Sequence, residues 1–326
     1  METALLNNTG QLTDQLLPEV PVRSNFIMAN TEDASLHDLQ HKHIIPVYVK
    51  DNEPLIGHYD FIKRVYEVAG HVFGYEDVAD PVARVSHPIK GRIPEARNKP
   101  AGELPESEKT LYTERTSSMI NITAYSDEVG GNKLTLTVGG VKAYNLDSLY
   151  NKKGSPEHFK VFIGYKNYVC TNLCVSTDGL LTDIRVTSLQ ELQDLIYEML
   201  TRYKSMEHLE AMRSLVNYEL SDKQFAQLIG RCRLYQYLNQ QQRKDILPLQ
   251  FGDQQISAVC KDYYRDKSFC RAENGSINLW KLYNLFTGVN KSSYIDSFLE
   301  RSANAGQFVL GIQQSLDRKG NNWFLQ

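Results

Sequence analysis

The sequence predicts an α+β fold, with an antiparallel β-sheet in the N-terminal half followed by a helical C-terminal half. Two runs of alternating polarity flank Gly130-Gly131 and indicate a β-hairpin. After residue 187, apolar residues recur at helical spacing, and two of these runs begin with a serine suited to cap a helix. Strands that come before helices, instead of alternating with them, are typical of α+β proteins.

Three regions follow from this pattern. Residues 1–30 are polar and are predicted to form a mobile arm, with a short helix around Thr13–Leu17. Residues 31–186 are predicted to form the sheet region. Residues 187–326 are predicted to be helical and to pack on the sheet.

The sheet region opens with mixed elements. Thr31-Glu32-Asp33 resembles a helix start, with a cap and an acidic first turn, and this short helix would end near His41 or His43. Ile44–Val49 is predicted to be a strand, and Tyr59–Val72 an amphipathic helix. Residues 78–109 contain five prolines, so we predict a long basic loop or inserted arm there.

The remaining elements follow in order along the chain. Met119–Tyr125 and Lys133–Val138 are the predicted hairpin strands. The predicted strand that begins at Phe159 runs on through Tyr168–Val175, and a last short strand is predicted at Ile184–Val186. Capping boxes predict helices that begin after Ser188 and Ser221. Further helices are predicted at about 207–218, 277–287, 293–303 and 307–317.

Composition limits the function classes. The 326 residues carry 36 basic and 39 acidic side chains, a net charge of -3, which excludes a uniformly basic nucleic-acid coat but not a local basic patch. No run resembles a secretory signal or a membrane span. Five scattered cysteines do not form a disulfide framework. We therefore expect a cytoplasmic protein that does not enter a membrane.

Motifs for enzyme chemistry are scarce, and no cofactor or catalytic residue is predicted. Phosphate-binding glycine loops and hydrolase signatures are absent, and Gly139-Gly140 indicates a bulge or bend. Cys170 and Cys174 are interpreted as apolar fillers on one face of a buried strand, too far apart to share a metal. His37 and His41 have the spacing of a zincin helix, with Asp38 in place of the glutamate, so a metal site there stays an alternative.

Three local basic segments are more informative. The first is the Pro-rich loop, where one acid accompanies five cations: Arg84, Lys90, Arg92, Arg97 and Lys99. The second is the helix after Ser221, where arginine and tyrosine pair at i,i+4 as Arg231 with Tyr235 and Arg233 with Tyr237. The third is the run Lys261–Lys267. Each segment suits contacts with phosphates and bases, or else is a solvated face with local ion pairs.

Several blocks resemble a known family, DUF3871. They are IPVYVKDNE (45–53), GHYDFI (57–62), EKTLYTER (108–115), GNKLTLTVGGVKAYN (131–145), FKVFIGYKNYVCTNLCVSTDG (159–179), QFAQLIGRCRLYQYL (224–238) and NLWKLYNLFTGVNKSSYIDSFLERSANA (278–305). The resemblance covers about residues 25–326 and implies an uncharacterised bacterial protein, mainly of Bacteroidetes, without known catalytic residues. The block at 159–179 is also similar, more weakly, to the phage- and plasmid-like DUF932 family. That similarity implies a role in mobile genetic elements.

Three functions compete at this point. The leading expectation is a mobile-element accessory that binds DNA or RNA, in DNA maintenance or recombination, through the first two basic segments. The first alternative is a non-catalytic module that binds a protein partner or forms a homo-oligomer through the Tyr-rich helical half. The second alternative is a metal-dependent enzyme that uses His37 and His41.

Overall fold

The structure, a computed structural model, describes residues 26–41, 55–86, 88–96, 98–147, 154–318 and 322–326. The helix predicted near Thr13–Leu17 and the strand predicted at Ile44–Val49 lie outside these residues. The described strands are β1 Thr31–Ala34, β2 Val82–Ser86, β3 Pro88–Arg92, β4 Lys109–Thr113, β5 Arg115–Val129, β6 Asn132–Ala143, β7 Glu157–Asn167, β8 Leu173–Cys174, β9 Leu180–Val186, β10 Glu219–Leu220 and β11 Ile277–Asn278. The described α-helices are α1 Leu36–His41, α2 His58–Phe73, α3 Leu189–Arg202, α4 Ser205–Ser214, α5 Asp222–Tyr235, α6 Gln240–Arg243, α7 Asp253–Arg265, α8 Leu279–Asn290 and α9 Ile295–Arg318.

One antiparallel sheet lies in the first half of the chain. Its strands follow the order β1, β2, β5, β6, β7, and both β8 and β9 pair with the outer edge of β7. The β5–β6 hairpin turns at Gly130 and Gly131, whose φ angles are 55° and 77°. Glycine adopts these left-handed angles at little cost, so the Gly-Gly pair fixes the turn. The predicted hairpin and the α+β fold are both confirmed.

Helices cover both faces of this sheet. On one face, the Phe61 ring of α2 lies 5.2 Å from the Phe159 ring of β7. On the other face, Phe298 of α9 joins Met119 and Phe162 in an apolar cluster. The C-terminal helices therefore pack on the sheet that the N-terminal half builds, because each sheet face must bury its apolar side chains.

The two glycines of β6 allow close packing and do not bend the strand. Gly139 and Gly140 pair in register with β5, and the register of that pairing shifts elsewhere, between Ile122 and Ser126. A Cβ at Gly140 would lie 2.6 Å from the Phe61 ring, too close for any side chain. The expected bulge or bend at this site is therefore wrong.

Two corrections concern the N-terminal half. Residues 31–34 form the edge strand β1, and the helix that follows starts after Ser35, whose hydroxyl accepts a hydrogen bond from the Asp38 backbone N–H at 3.0 Å. The segment 78–109 is not one long loop, because it contains β2 in the main sheet and β3 paired with β4. Prolines stand at the edges of these strands, where a missing N–H is tolerated.

The C-terminal half needs three further corrections. The chain reverses after β7, so that β8 pairs back on Tyr165 and Lys166 instead of continuing the same strand. Helix α7 is absent from the prediction. The two helices predicted at about 293–303 and 307–317 form the single helix α9. The helices predicted after Ser188 and Ser221 are confirmed, and each serine hydroxyl accepts a hydrogen bond from a first-turn N–H.

A buried lysine joins three parts of the sheet region. Lys142 on β6 is 0% exposed, and its Nζ lies 2.8 Å from Asp147 Oδ2 and 2.9 Å from Glu157 Oε2. Glu157 also accepts hydrogen bonds from the backbone N–H groups of Leu55 and Ile56. Both carboxylates and the ammonium group are thus paired, which is the condition for burying such charges.

Among the described residues, no helix combines the length and the apolar character that crossing a membrane would require.

Candidate functional site

The structure distributes the first predicted basic segment over strand β2 of the main sheet, the separate β3–β4 pair and the connection between those two strands. Arg84 is 4% exposed, donates to Asp33 Oδ1 at 2.6 Å and contacts Thr31, so its charge is used inside the fold. Lys90 and Arg92 belong to β3, and Arg97 lies outside the described residues. Lys99 forms an ion pair with Glu108. Arg84 and Lys99 therefore each form an ion pair with a carboxylate of the protein itself.

The second predicted segment, on α5, shows a similar pattern. Arg233 forms an ion pair with Asp253 at 2.9 Å. The guanidinium of Arg231 lies 4.8 Å from the centre of the Trp323 ring, and its Nη2 donates to the Gln326 carbonyl oxygen. Tyr235 is buried, whereas Tyr237 is 86% exposed. Of the two tyrosines of this segment, only Tyr237 presents its ring to solvent.

The two candidate metal-ligating histidines share a face of α1. The rings of His37 and His41 have centroids 4.3 Å apart, and His41 Nδ1 lies 3.0 Å from the His37 carbonyl oxygen. Within the part of the chain that the structure describes, no group of three or more His, Cys, Asp or Glu side chains is arranged to hold a metal ion. The pair alone supplies two of the ligands that a metal site needs.

The two cysteines Cys170 and Cys174 do not share one strand face as predicted. Cys170 lies in the turn after β7, and Cys174 lies in β8. Burial raises the pKa of the Cys170 thiol to about 11 and that of the Cys174 thiol to about 12. Both groups therefore stay protonated at neutral pH, which makes them poor nucleophiles and poor metal ligands.

The third basic segment keeps its charges exposed. Lys261, Tyr264 and Arg265 occupy one stripe of α7, at i, i+3 and i+4. Beyond the helix, the chain brings the Arg271 guanidinium to 4.7 Å from the centre of the Tyr264 ring. Lys267 is also exposed. We call these five residues the α7 cationic surface.

The acids near the α7 cationic surface form no ion pair with its cations within the described residues. Asp266 accepts hydrogen bonds from the backbone N–H groups of Ser268 and Phe269, so its carboxylate closes a turn. Burial raises the pKa of Asp262, and the positive charge of Lys261 opposes that rise. Within the described residues, none of the four cations of this surface forms an ion pair, in contrast to Arg84, Lys99 and Arg233.

Neighbouring elements add two more lysines and an aromatic ring. Lys281 Nζ lies 3.0 Å from the Cys270 carbonyl oxygen, and Lys291 Nζ lies 3.1 Å from Thr171 Oγ1 in the turn after β7. Tyr168 in the same turn is exposed, with Lys133 Nζ 5.8 Å from its ring centre. Lys281 thus lies beside the connection that follows α7, and Lys291 lies beside the turn after β7.

A cavity lies between the β8–β9 connection and helices α4, α8 and α9. Its volume is about 400 Å³, and its wall includes His208, Tyr283 and Gly306. Tyr203 lies behind His208, with its hydroxyl 2.5 Å from His208 Nδ1. Burial lowers the pKa of His208 to about 4, and Asp178 opposes that shift only in part.

Sequence reasoning missed both the Arg271–Tyr264 stack and the cavity. The run Lys261–Lys267 did signal a basic segment, but Arg271 reaches Tyr264 only because the chain turns back after α7. The cavity residues come from four separated stretches of sequence and follow no motif. The signal for the cavity is therefore absent from any local window.

Comparisons with known proteins agree with the resemblance seen in the sequence blocks. No curated protein and no solved structure matches the chain. The weaker similarity to the DUF932 family gains no support from these comparisons and stays a prediction. One family profile, described as "Domain of unknown function, B. Theta Gene description (DUF3871)", matches residues 12–325. Because this match covers nearly the whole sequence, the chain belongs to the DUF3871 family.

Proposed function

We propose that the protein is a nucleic-acid-binding accessory, of the kind that serves DNA maintenance or recombination in mobile elements, and that it binds a single strand through the α7 cationic surface. The observation that carries this proposal is the exposed Tyr264 ring stacked under the Arg271 guanidinium at 4.7 Å. An aromatic ring beside free cations is the arrangement with which proteins bind single strands, because bases stack on the ring while cations contact phosphates.

The distribution of ion pairs supports this choice among the three basic segments. The molecule is anionic as a whole, with a net charge of -3. Three described cations of the first two segments form ion pairs, namely Arg84 with Asp33, Lys99 with Glu108 and Arg233 with Asp253. Lys261, Arg265 and Lys267 are exposed and lack such partners within the described residues. Among the cations that the structure describes in the three segments, those of the α7 cationic surface are therefore the ones we expect to attract a polyanion.

Salt dependence and ring removal test different parts of the proposal. If three or four phosphates are contacted, affinity for a fluorescent oligothymidylate should fall about 20- to 50-fold between roughly 50 mM and 200 mM salt. The triple variant K261Q/R265Q/K267Q should flatten the slope of log affinity against log salt by about 2.

Tyr264→Ala should weaken binding about 5- to 150-fold with the slope unchanged, since stacking on a base does not release counterions. Fluorescence anisotropy measures each quantity.

A matched triple variant controls for lost charge. K63Q/R185Q/R202Q also removes three cations, but each of them sits in an exposed ion pair. This control should bind the oligonucleotide as the unmodified chain does. Equal binding by the two triple variants, or no binding by the unmodified chain at low salt, would refute the proposal.

A further inference from the structure

The cavity beside α4 has the size and lining of a small-molecule site. Its volume of about 400 Å³ lies in the range of ligand pockets. Most of its wall is apolar, with Met212, Leu215 and Leu310 among its residues. Such a lining contributes affinity through burial of apolar surface, and it leaves orientation to the few polar groups that reach the cavity.

One of these polar groups is buried without a satisfactory partner. Tyr283 is 1% exposed, and its hydroxyl makes no hydrogen bond of acceptable geometry with any described residue. The Cys174 thiol and the Val175 backbone interact with this hydroxyl and affect its pKa. A Cβ at Gly306, on the cavity wall, would lie 3.2 Å from this hydroxyl. A buried hydroxyl left unpaired costs about 1–3 kcal/mol, so a ligand that pairs with it gains affinity.

The second polar group is a neutral imidazole. His208 lines the cavity, and its Nδ1 is engaged by the Tyr203 hydroxyl. Burial raises the pKa of Tyr203, so that hydroxyl keeps its proton and can donate it to Nδ1. In the tautomer that accepts this hydrogen bond at Nδ1, the neutral ring carries its proton on Nε2 and is a donor there. A hydrogen-bond acceptor is the group that this ring can bind.

Charge at the rim selects against anions. Lys204 is paired with Glu207 at 3.0 Å, which leaves Asp178 as the unbalanced carboxylate among the cavity residues. Asp178 accepts one hydrogen bond, from the Lys204 backbone N–H at 3.3 Å. An anionic ligand would meet this carboxylate and no free cation. A neutral ligand meets the apolar wall and the uncharged donors.

We propose that this cavity binds a small, uncharged aromatic or heteroaromatic molecule whose oxygen or nitrogen acceptor bonds the Tyr283 hydroxyl and the His208 ring. The aromatic part packs against the apolar wall, and the acceptor satisfies the buried hydroxyl. The site is separate from the α7 cationic surface, so it does not depend on the proposed binding of nucleic acid.

Benzamide is a suitable probe, because it is neutral and joins an aromatic ring to a carbonyl acceptor. Benzoate and benzylamine are probes of similar shape with opposite charges. Isothermal titration should give benzamide a dissociation constant of about 1 mM, which is ordinary for so small a ligand. Benzoate should bind at least about tenfold more weakly. Imidazole nitrogen-15 spectra should show a shift of the His208 Nε2 resonance on adding benzamide.

Two variants locate the binding. Tyr283→Phe should weaken benzamide about 3- to 10-fold, the effect of losing one hydrogen bond. Gly306→Val should abolish binding because its side chain enters the cavity beside the Tyr283 hydroxyl. Tyr294→Phe, a change at an exposed tyrosine outside the cavity, is the matched control and should bind as the unmodified chain does. Equal affinity for benzoate and benzamide, no binding, or unchanged binding by Tyr283→Phe with its fold intact by thermal melting would overturn the proposal.

Discussion

Replacing Lys142 with methionine should lower the free energy of unfolding by about 3–5 kcal/mol. The lysine is 0% exposed and neutralises Asp147 and Glu157, whose side chains are themselves nearly buried. Methionine fills a similar volume but leaves two carboxylates in an apolar environment without a counter-ion. Removing one partner of a buried ion cluster costs more than the cluster contributes, since the remaining charges are desolvated and unpaired.

Chemical denaturation of three variants separates charge from packing. The combination K142M/D147N/E157Q should regain much of the stability lost in K142M, because it removes the stranded charges and keeps amide oxygens as acceptors. Arg202→Ala breaks an exposed ion pair with Glu198 and should cost less than about 1 kcal/mol. If K142M lost less than about 1 kcal/mol of its free energy of unfolding, water or a rearranged cationic partner would have to stabilise the two carboxylates.

Elements with local signals were predictable, and those defined by distant contacts were not. Ser188 and Ser221 cap their helices through bonds to residues three positions ahead, which the sequence displays directly. Gly130-Gly131 marks its turn in the same way. Strand β2 had no such signal. It exists because it pairs with β5, more than 30 residues away, and its flanking prolines indicated a loop.

The same distinction applies to the candidate binding residues. Spacing at i,i+4 predicted that Arg231 would pair with Tyr235 on α5. In the structure, Arg231 lies over Trp323, and the Tyr235 ring is covered by Arg243. A guanidinium does pack on an aromatic ring in both places, but the two members of each pair come from different segments of the chain. Burial and ion pairing, which decide whether a cation is available, are tertiary properties that spacing does not contain.

Stability should fall with acid because of His208. Burial lowers the pKa of this ring from 6.5 to about 4, whereas the unfolded chain takes up the proton at the ordinary value. Between these pH values the unfolded state binds more protons than the folded state, so the free energy of unfolding rises with pH. The contribution is complete above about pH 6.5 and falls by up to about 3 kcal/mol as the pH drops to about 4.

Urea denaturation at a series of pH values measures this effect, with His208→Gln as the comparison. Glutamine keeps a group that can bond the Tyr203 hydroxyl but does not titrate, so the variant should lose stability less steeply between about pH 6.5 and pH 4. His71→Gln removes a surface histidine that donates to its own helix and is the matched control for deleting a ring. Equal slopes for the unmodified chain and His208→Gln would mean that the folded protein protonates His208 as easily as the unfolded chain does. The imidazole on the cavity wall would then be a cation below about pH 6.5, and in that range the cavity would favour anions over the neutral ligand argued for above.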